Sequence, residues 1–312
     1  MSALASPDDA AARLAAAGYI PNPQIATTLF LAASLERPIL VEGPAGVGKT
    51  DLARAAAVAL NRPLVRLQCY EGLDEAKALY EWEYAKQLLY TQILKDKIGD
   101  LLRDAPTLEA AVERVASQES AFFSRRFLLP RPLLASILAD EPQVLLIDEI
   151  DKADPEFEAF LLEILSDWQV TVPELGTLKA KHRPVTILTS NAARELSDAL
   201  KRRCLYLWLD YPDEAREREI LQTRVPQLSG ELSAAIVDVT RKLRGLDLKK
   251  APAIAETIDW ARALLTLGAR TLDRETVERT AGILLKYEED LRRAAKTLGT
   301  IGVDPKSGEA KH

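Results

Sequence analysis

The sequence predicts an α/β fold in which a parallel-sheet domain is followed by an all-helical one. Three observations carry this prediction. Between Pro38 and Val65 the chain reads apolar strand, glycine-rich turn, helix, apolar strand, the unit from which parallel sheets are built. Two further short apolar runs, VLLID (144–148) and VTILTS (185–190), each follow a proline and have the continuous hydrophobicity of strands buried on both faces. After Pro212 the strand patterns stop and apolar residues recur at helical spacing.

The elements follow in order. ILVEG (39–43) is the first strand, DLARAAAVAL (51–60) the helix after the glycine turn, and LVRL (64–67) the second strand. Residues 70–130 read as a long helical insertion before the third strand. Its aromatic residues Tyr70, Tyr80, Trp82, Tyr84 and Tyr90 fit internal packing, a subunit contact or a grip on a protein partner. Behind VLLID, Phe157, Phe160, Leu161, Ile164, Leu165 and Trp168 recur at helical spacing, with Asp154 as N-cap and Pro155 at the first helical position. QVTV, PELGT and LKA (169–180) read as a hairpin inserted before VTILTS, and CLYLWL (204–209) as a fifth strand. Helices are predicted over 213–223, 232–243, 254–267 and 275–296. In the second of these Leu232, Ile236, Val239 and Leu243 form one stripe, and Gly245 stands where a C-terminal cap belongs. The predicted domains are therefore 1–211 and 212–296, with a loose tail at 297–312.

Composition narrows the functional classes. The chain has 312 residues, 28 % of them charged and 47 % hydrophobic, which is the balance of a soluble globular protein. Asp and Glu outnumber Lys and Arg 47 to 41, giving a net charge of -6 and no broad positive field for nucleic acid. Cys69 and Cys204 lie far apart, and only His182 and His312 add imidazoles, so neither a zinc site nor a disulfide framework is expected. Asp8 and Asp9 stand where a secretory leader carries basic residues, and no run reaches the roughly 18 apolar residues of a membrane span. A cytoplasmic protein without membrane insertion is expected.

The chemistry starts at Gly43-Pro44-Ala45-Gly46-Val47-Gly48-Lys49-Thr50, which fits GxxxxGK[ST] between a strand and a helix. Its glycines let successive backbone N–H groups turn in around phosphate oxygens, and the following helix adds the positive end of its dipole. ATP with Mg²⁺ is the expected ligand, Lys49 meeting the β and γ phosphates and Thr50 the metal. VLLIDE ends a neighbouring strand with two carboxylates. Asp148 is placed to hold the Mg²⁺ shell and Glu149 to polarise the attacking water, the alternative being an acidic pair at a helix start.

The pair Asp148-Glu149 after the phosphate loop resembles the AAA+ ATPases. That resemblance implies a sensor 1 residue at Asn191, just past VTILTS, although a helix-capping asparagine is the alternative there. It implies an arginine finger at Arg203 in ALKRRCLYL, with Arg202 in reserve, and a sensor 2 arginine at Arg262 in DWARALL, where an ordinary helix arginine is the alternative. LIDEIDKADPEFEAFLLEILSDWQVTVPELG, TSNA and LKRRC are similar to the MoxR-like branch. LQCYEGLDEAKALYEW and ELSDALKRRCLYLWLDYP look most like the CoxD-type ATPases, associated with maturing carbon monoxide dehydrogenase-type molybdenum hydroxylases. The resemblance implies a hexameric ring, a von Willebrand factor A domain partner, a metalloenzyme client, and insertions where 70–90 and 169–180 fall. Glu174-Leu175-Gly176 is then a candidate contact tip.

Overall fold

A computed structural model describes residues 4–95, 107, 109–110, 113, 124–173 and 175–298. Glu174, much of the predicted insertion between 96 and 123, and the tail beyond 298 lie outside the described residues. Nine strands occur among those described: β1 (Ile39–Glu42), β2 (Leu64–Gln68), β3 (Tyr80–Trp82), β4 (Leu128–Pro130), β5 (Val144–Asp148), β6 (Gln169–Val172), β7 (Gly176–Lys179), β8 (Val185–Ser190) and β9 (Leu205–Trp208). Five make one sheet in the order β2-β5-β8-β1-β9. β5 runs parallel to β2, with Gln68 opposite Asp148, and parallel to β8, with Ile147 opposite Leu188. β5 and β8 are buried at every position, including the polar Asp148 of β5 and Thr186, Thr189 and Ser190 of β8. In-register parallel strands also bring their C-terminal residues to one edge, and that edge carries the polar chemistry.

Backbone contacts divide the chain into two units. One comprises Leu31–Leu40 and Asn61–Leu205. Its core gathers Leu145, Ile147 and Leu188 of the sheet with Leu133 and Ile137 of the helix Pro132–Leu138 and Phe157 and Leu161 of the helix Pro155–Asp167. Pro155 opens that last helix as predicted, whereas Asp154 occupies the N-cap position without a capping side-chain bond. Trp168 (φ 50) leaves it in the left-handed conformation and leads into the antiparallel β6–β7 hairpin. The hairpin is anchored, since Val170, Val172 and Leu178 belong to the same core.

The 70–130 segment differs from an all-helical insertion. Its described part holds a short helix Glu75–Leu79, the helix Tyr84–Ile93 and an antiparallel β3–β4 ladder in which buried Trp82 faces buried Leu128. Tyr80 and Trp82 meet edge to face, with centroids 6.0 Å apart. Aromatic side chains favour such a pleated, half-buried surface, and cross-strand partners decide it over local helical spacing.

The other unit comprises Met1–Phe30, Val41–Leu60 and Tyr206–His312. Its N-terminal stretch forms the helix Pro7–Ala16 and the start of the helix Pro23–Leu35. Ser6 Oγ accepts the Asp9 amide, and Asn22 Oδ1 accepts the Ile25 amide, so both starts are capped. The helix after the glycine turn, Lys49–Ala59, buries mostly alanines, which allow close packing. Helices Glu214–Arg224, Gly230–Arg244, Ile254–Thr266, Arg274–Leu284 and Glu288–Leu298 surround a core in which fully buried Trp260 donates Nε1–H to Thr280 Oγ1 at 2.7 Å. The predicted helix 275–296 is thus two helices, broken where Leu285 is extended. Its apolar stripe runs through the break, so periodicity alone could not show it. The break accompanies a tertiary contact: Asp290, 1 % exposed, accepts the amides of Lys249 and Lys250.

Candidate functional site

The phosphate-loop residues are shaped by close approach. Gly43 leaves β1 with φ 150, and a Cβ there would lie 1.9 Å from the Leu209 carbonyl oxygen. At Gly46 (φ 76) a Cβ would lie 2.5 Å from Ala253 Cβ, and Gly48 has φ 98. Only glycine meets both demands without strain. Pro44, Ala45 and Val47 complete the turn between them. Lys49 is buried and donates Nζ–H to the carbonyls of Gly43 and Pro44, 2.7 Å each, so the loop curls around its ammonium. Thr50 lies in the first turn of the following helix, where backbone N–H groups lack helical acceptors.

A cavity in the same unit opens beside Gly48, walled by Tyr19, Ile20, Val47, Trp208, Pro212 and Ile254. Two arginines of the helix Glu214–Arg224 line it too. Arg216 Nη2 donates to the Ile20 carbonyl at 2.6 Å, and Arg224 Nη2 pairs with Asp51 Oδ2 at 2.7 Å. Burial pushes the Tyr19 phenol up to about 12, with the Arg216 charge opposing, so it stays a neutral wall. A slot with apolar walls and a polar rim that includes Asn22, Asp51 and Asp210 suits a flat heteroaromatic base joined to phosphates.

In the unit that holds β2, β5 and β8, their C-terminal ends collect carboxylates. Asp148 is 2 % exposed; its Oδ1 accepts the Thr189 hydroxyl at 2.5 Å, and its Oδ2 accepts Arg66 Nη2 at 2.6 Å and Nε at 3.1 Å. Glu149 has a left-handed backbone, φ 58, which costs a non-glycine residue about 1 kcal/mol or more. Its Oε2 accepts Gln68 Nε2 at 2.8 Å and Lys152 Nζ at 2.6 Å, and its Oε1 accepts Asn191 Nδ2 at 3.5 Å. The hydrogen bond to Glu149 raises the pKa of Lys152. Beneath them the Cys69 thiol is pushed up to about 12 by burial, with the charges of Asp148, Asp151 and Glu149 adding to it.

The fold therefore brings Asp148, Glu149 and Asn191 together. Asn191 does not cap the next helix, Asp198–Arg203, because Ser197 does. Arg203 is exposed at the end of that helix and donates Nη1–H to the Leu162 carbonyl at 2.6 Å. The carbonyls of Arg202 and Arg203 accept the Arg37 guanidinium. Arg262 is exposed, lies 3.6 Å from Asp259 and is not among the residues lining the cavity. Sequence reasoning missed Tyr19, Ile20, Arg66, Gln68, Asp151, Thr189 and Arg216. Arg66 and Gln68 carried a readable signal: two polar residues with strand period on one face of β2.

The buried Asp148 carboxylate is the kind of hard oxygen donor that Mg²⁺ prefers. The family model for the AAA domain (dynein-related subfamily) matches residues 38–204, more than half of the chain and the whole stretch from the loop to Arg203. This chain belongs to that AAA family. Protein NorQ of Paracoccus denitrificans is 25 % identical over 261 residues, covering 82 % of this chain and 83 % of NorQ. The denitrification regulatory protein NirQ of Stutzerimonas stutzeri is 24 % identical over 221 residues, 70 % of this chain and 68 % of NirQ. The gas vesicle ATPase GvpN of Haloferax mediterranei is 28 % identical over 233 residues; these cover 71 % of this chain but 60 % of GvpN. Among solved structures, the Thermotoga maritima RuvB Holliday junction branch migration motor aligns over 84 % of this chain and 67 % of its own at 18 % identity, TM-score 0.47. The AAA domain here is of the MoxR type, binds nucleotide and hydrolyses ATP. Its family generally assembles into oligomeric rings. Among the described residues no helix is long and apolar enough to cross a membrane.

Proposed function

We propose that this AAA+ ATPase uses MgATP to remodel or activate a client protein, each site being completed by a neighbouring subunit. The observation that carries the reading is the Asp148-Glu149-Asn191 cluster at the sheet's C-terminal edge, in a chain whose Gly43, Gly46 and Gly48 are shaped for phosphate. In this reading Lys49 exchanges its carbonyl partners for the β and γ phosphates. Thr50 and Asp148 would hold Mg²⁺, which would supply neutralisation of phosphate charge. Glu149 polarises a water that Asn191 orients. The water oxygen bonds to the γ-phosphorus, the bond to the bridging oxygen breaks, and the proton moves toward Glu149, leaving ADP and phosphate.

Arg203 of the adjacent subunit supplies transition-state charge, and Arg262 is the lid arginine of the resemblance. The ring is read as a hexamer in the cytoplasm, with a von Willebrand factor A domain partner and a metalloenzyme client such as a carbon monoxide dehydrogenase-type molybdenum hydroxylase. The tip beginning at Glu174 and the exposed Tyr70, Tyr84 and Tyr90 are read as client-facing. Relatives named for regulating denitrification and for gas vesicles support a protein-directed role over a nucleic-acid one, as does the net charge of -6.

The test compares Glu149→Gln, Arg203→Ala and Arg202→Ala. Glu149→Gln is expected to keep nucleotide affinity and lose turnover by about 100-fold or more. Arg203→Ala should do the same only in assembled protein. Turnover at the parental rate in Glu149→Gln would sink the water-polarising role, and a larger loss in Arg202→Ala would move the finger one residue. Capture from the native host on the Glu149→Gln form tests the client; recovery without a von Willebrand-type or molybdenum-enzyme partner counts against that part alone.

A further inference from the structure

Two side chains outside the predicted set tie the end of β5 to the end of β8. Thr189, 1 % exposed, donates its hydroxyl to Asp148 Oδ1 at 2.5 Å and accepts the Glu149 amide at 2.9 Å. One side chain thereby orients one carboxylate and fixes the backbone of the next. Asp151 is 6 % exposed and works in the opposite direction. Its Oδ2 accepts the amides of Asn191 and Ala193, both at 3.2 Å, while its Oδ1 is buried with no hydrogen-bond partner among the described residues. Between those two amides Ala192 is held at φ 56, its own N–H on Ser190 Oγ at 2.9 Å.

A left-handed alanine costs energy and persists only when its surroundings over-determine it. Here the surroundings are a buried carboxylate and a hydroxyl. Burying a carboxylate with one oxygen unpartnered is itself costly, and an apolar pair would join two buried strand ends with a smaller penalty. What the costly arrangement supplies is a fixed relation between residues 148–149 and residue 191.

We propose that Thr189 and Asp151 are positioning residues for ATP hydrolysis, clasping the two strand ends so that Glu149 and Asn191 face one water at fixed separation. Neither side chain contacts substrate; each acts through the backbone or through Asp148. The inference rests on the reading of Glu149 as the water-polarising group.

The test uses the full chain as parent, Thr189→Val, Thr189→Ser, Glu149→Gln and the Thr189→Val/Glu149→Gln double variant. Read-outs are kcat, KM, affinity for a fluorescent ATP analogue with Mg²⁺, and the thermal midpoint. Thr189→Val should lower kcat at least about tenfold with nucleotide affinity within about threefold of the parent, and Thr189→Ser should restore it. The double variant should be no slower than Glu149→Gln, because both losses pass through one group. A kcat within about twofold of the parent in well-folded Thr189→Val overturns the clasp, as do losses that multiply in the double variant. Parental turnover in Glu149→Gln overturns the premise instead, whatever Thr189→Val does. Should Thr189→Val not fold, Asp151→Asn carries the test through hydrogen exchange at the Asn191 and Ala193 amides. Faster exchange with a fall in kcat supports the clasp, and a change in only one of the two overturns it.

Discussion

At the scale of single residues, the loop was legible because its demands are local. A positive φ or a backbone within contact distance asks for glycine wherever the chain stands, so Gly43, Gly46 and Gly48 announce themselves. Gly46→Ala meets both obstacles, φ 76 and a Cβ 2.5 Å from Ala253 Cβ. It should destabilise the protein by about 1–3 kcal/mol in urea unfolding and weaken nucleotide binding, which titration with a fluorescent analogue measures. The residues that hold the carboxylates were less legible. Arg66, Gln68 and Thr189 acquire their partners from which strand lies next to which, and the order β2-β5-β8 is a property of topology rather than of any short stretch.

At the scale of elements, strands buried on both faces and helices with one apolar stripe were readable, since burial writes its period into the sequence. The failures are elements whose form is settled by distant contacts. β3 and β4 pair across a long sequence separation, and the last predicted helix breaks at Leu285 although its stripe does not. Asp290 supplies the distant contact in the second case. Replacing it with alanine leaves the Lys249 and Lys250 amides without their acceptor, and a loss of about 1–3 kcal/mol is expected in chemical denaturation. An unchanged midpoint would show that the break has another cause.

Across the whole molecule the titrations of buried groups add. Burial raises the Cys69 and Cys204 thiols from 9.0 to about 12 and the Tyr19 phenol from 10.0 to about 12. A raised folded-state value means the folded protein holds its proton more tightly than the unfolded chain does. The stability from each group is complete below its unfolded value and is lost as pH climbs through the folded one. Resistance to urea should therefore fall between pH 9 and 12. Each group contributes at most about 1.4 kcal/mol for every tenfold by which folding tightens its hold on the proton. A Cys69→Ala/Cys204→Ala variant should show a shallower decline over that window; an identical decline would assign it elsewhere.

The backbone of Glu149 bears on how selection balances durability against work. Glycine adopts φ 58 freely and glutamate does not, so Glu149→Gly should relax the turn and raise the melting temperature, or at least leave it undiminished, while turnover disappears. A protein selected only to persist would carry glycine there. An acid held there at φ 58 among Gln68, Lys152 and Asn191 is what the proposed water-polarising role asks for, durability being surrendered for chemistry.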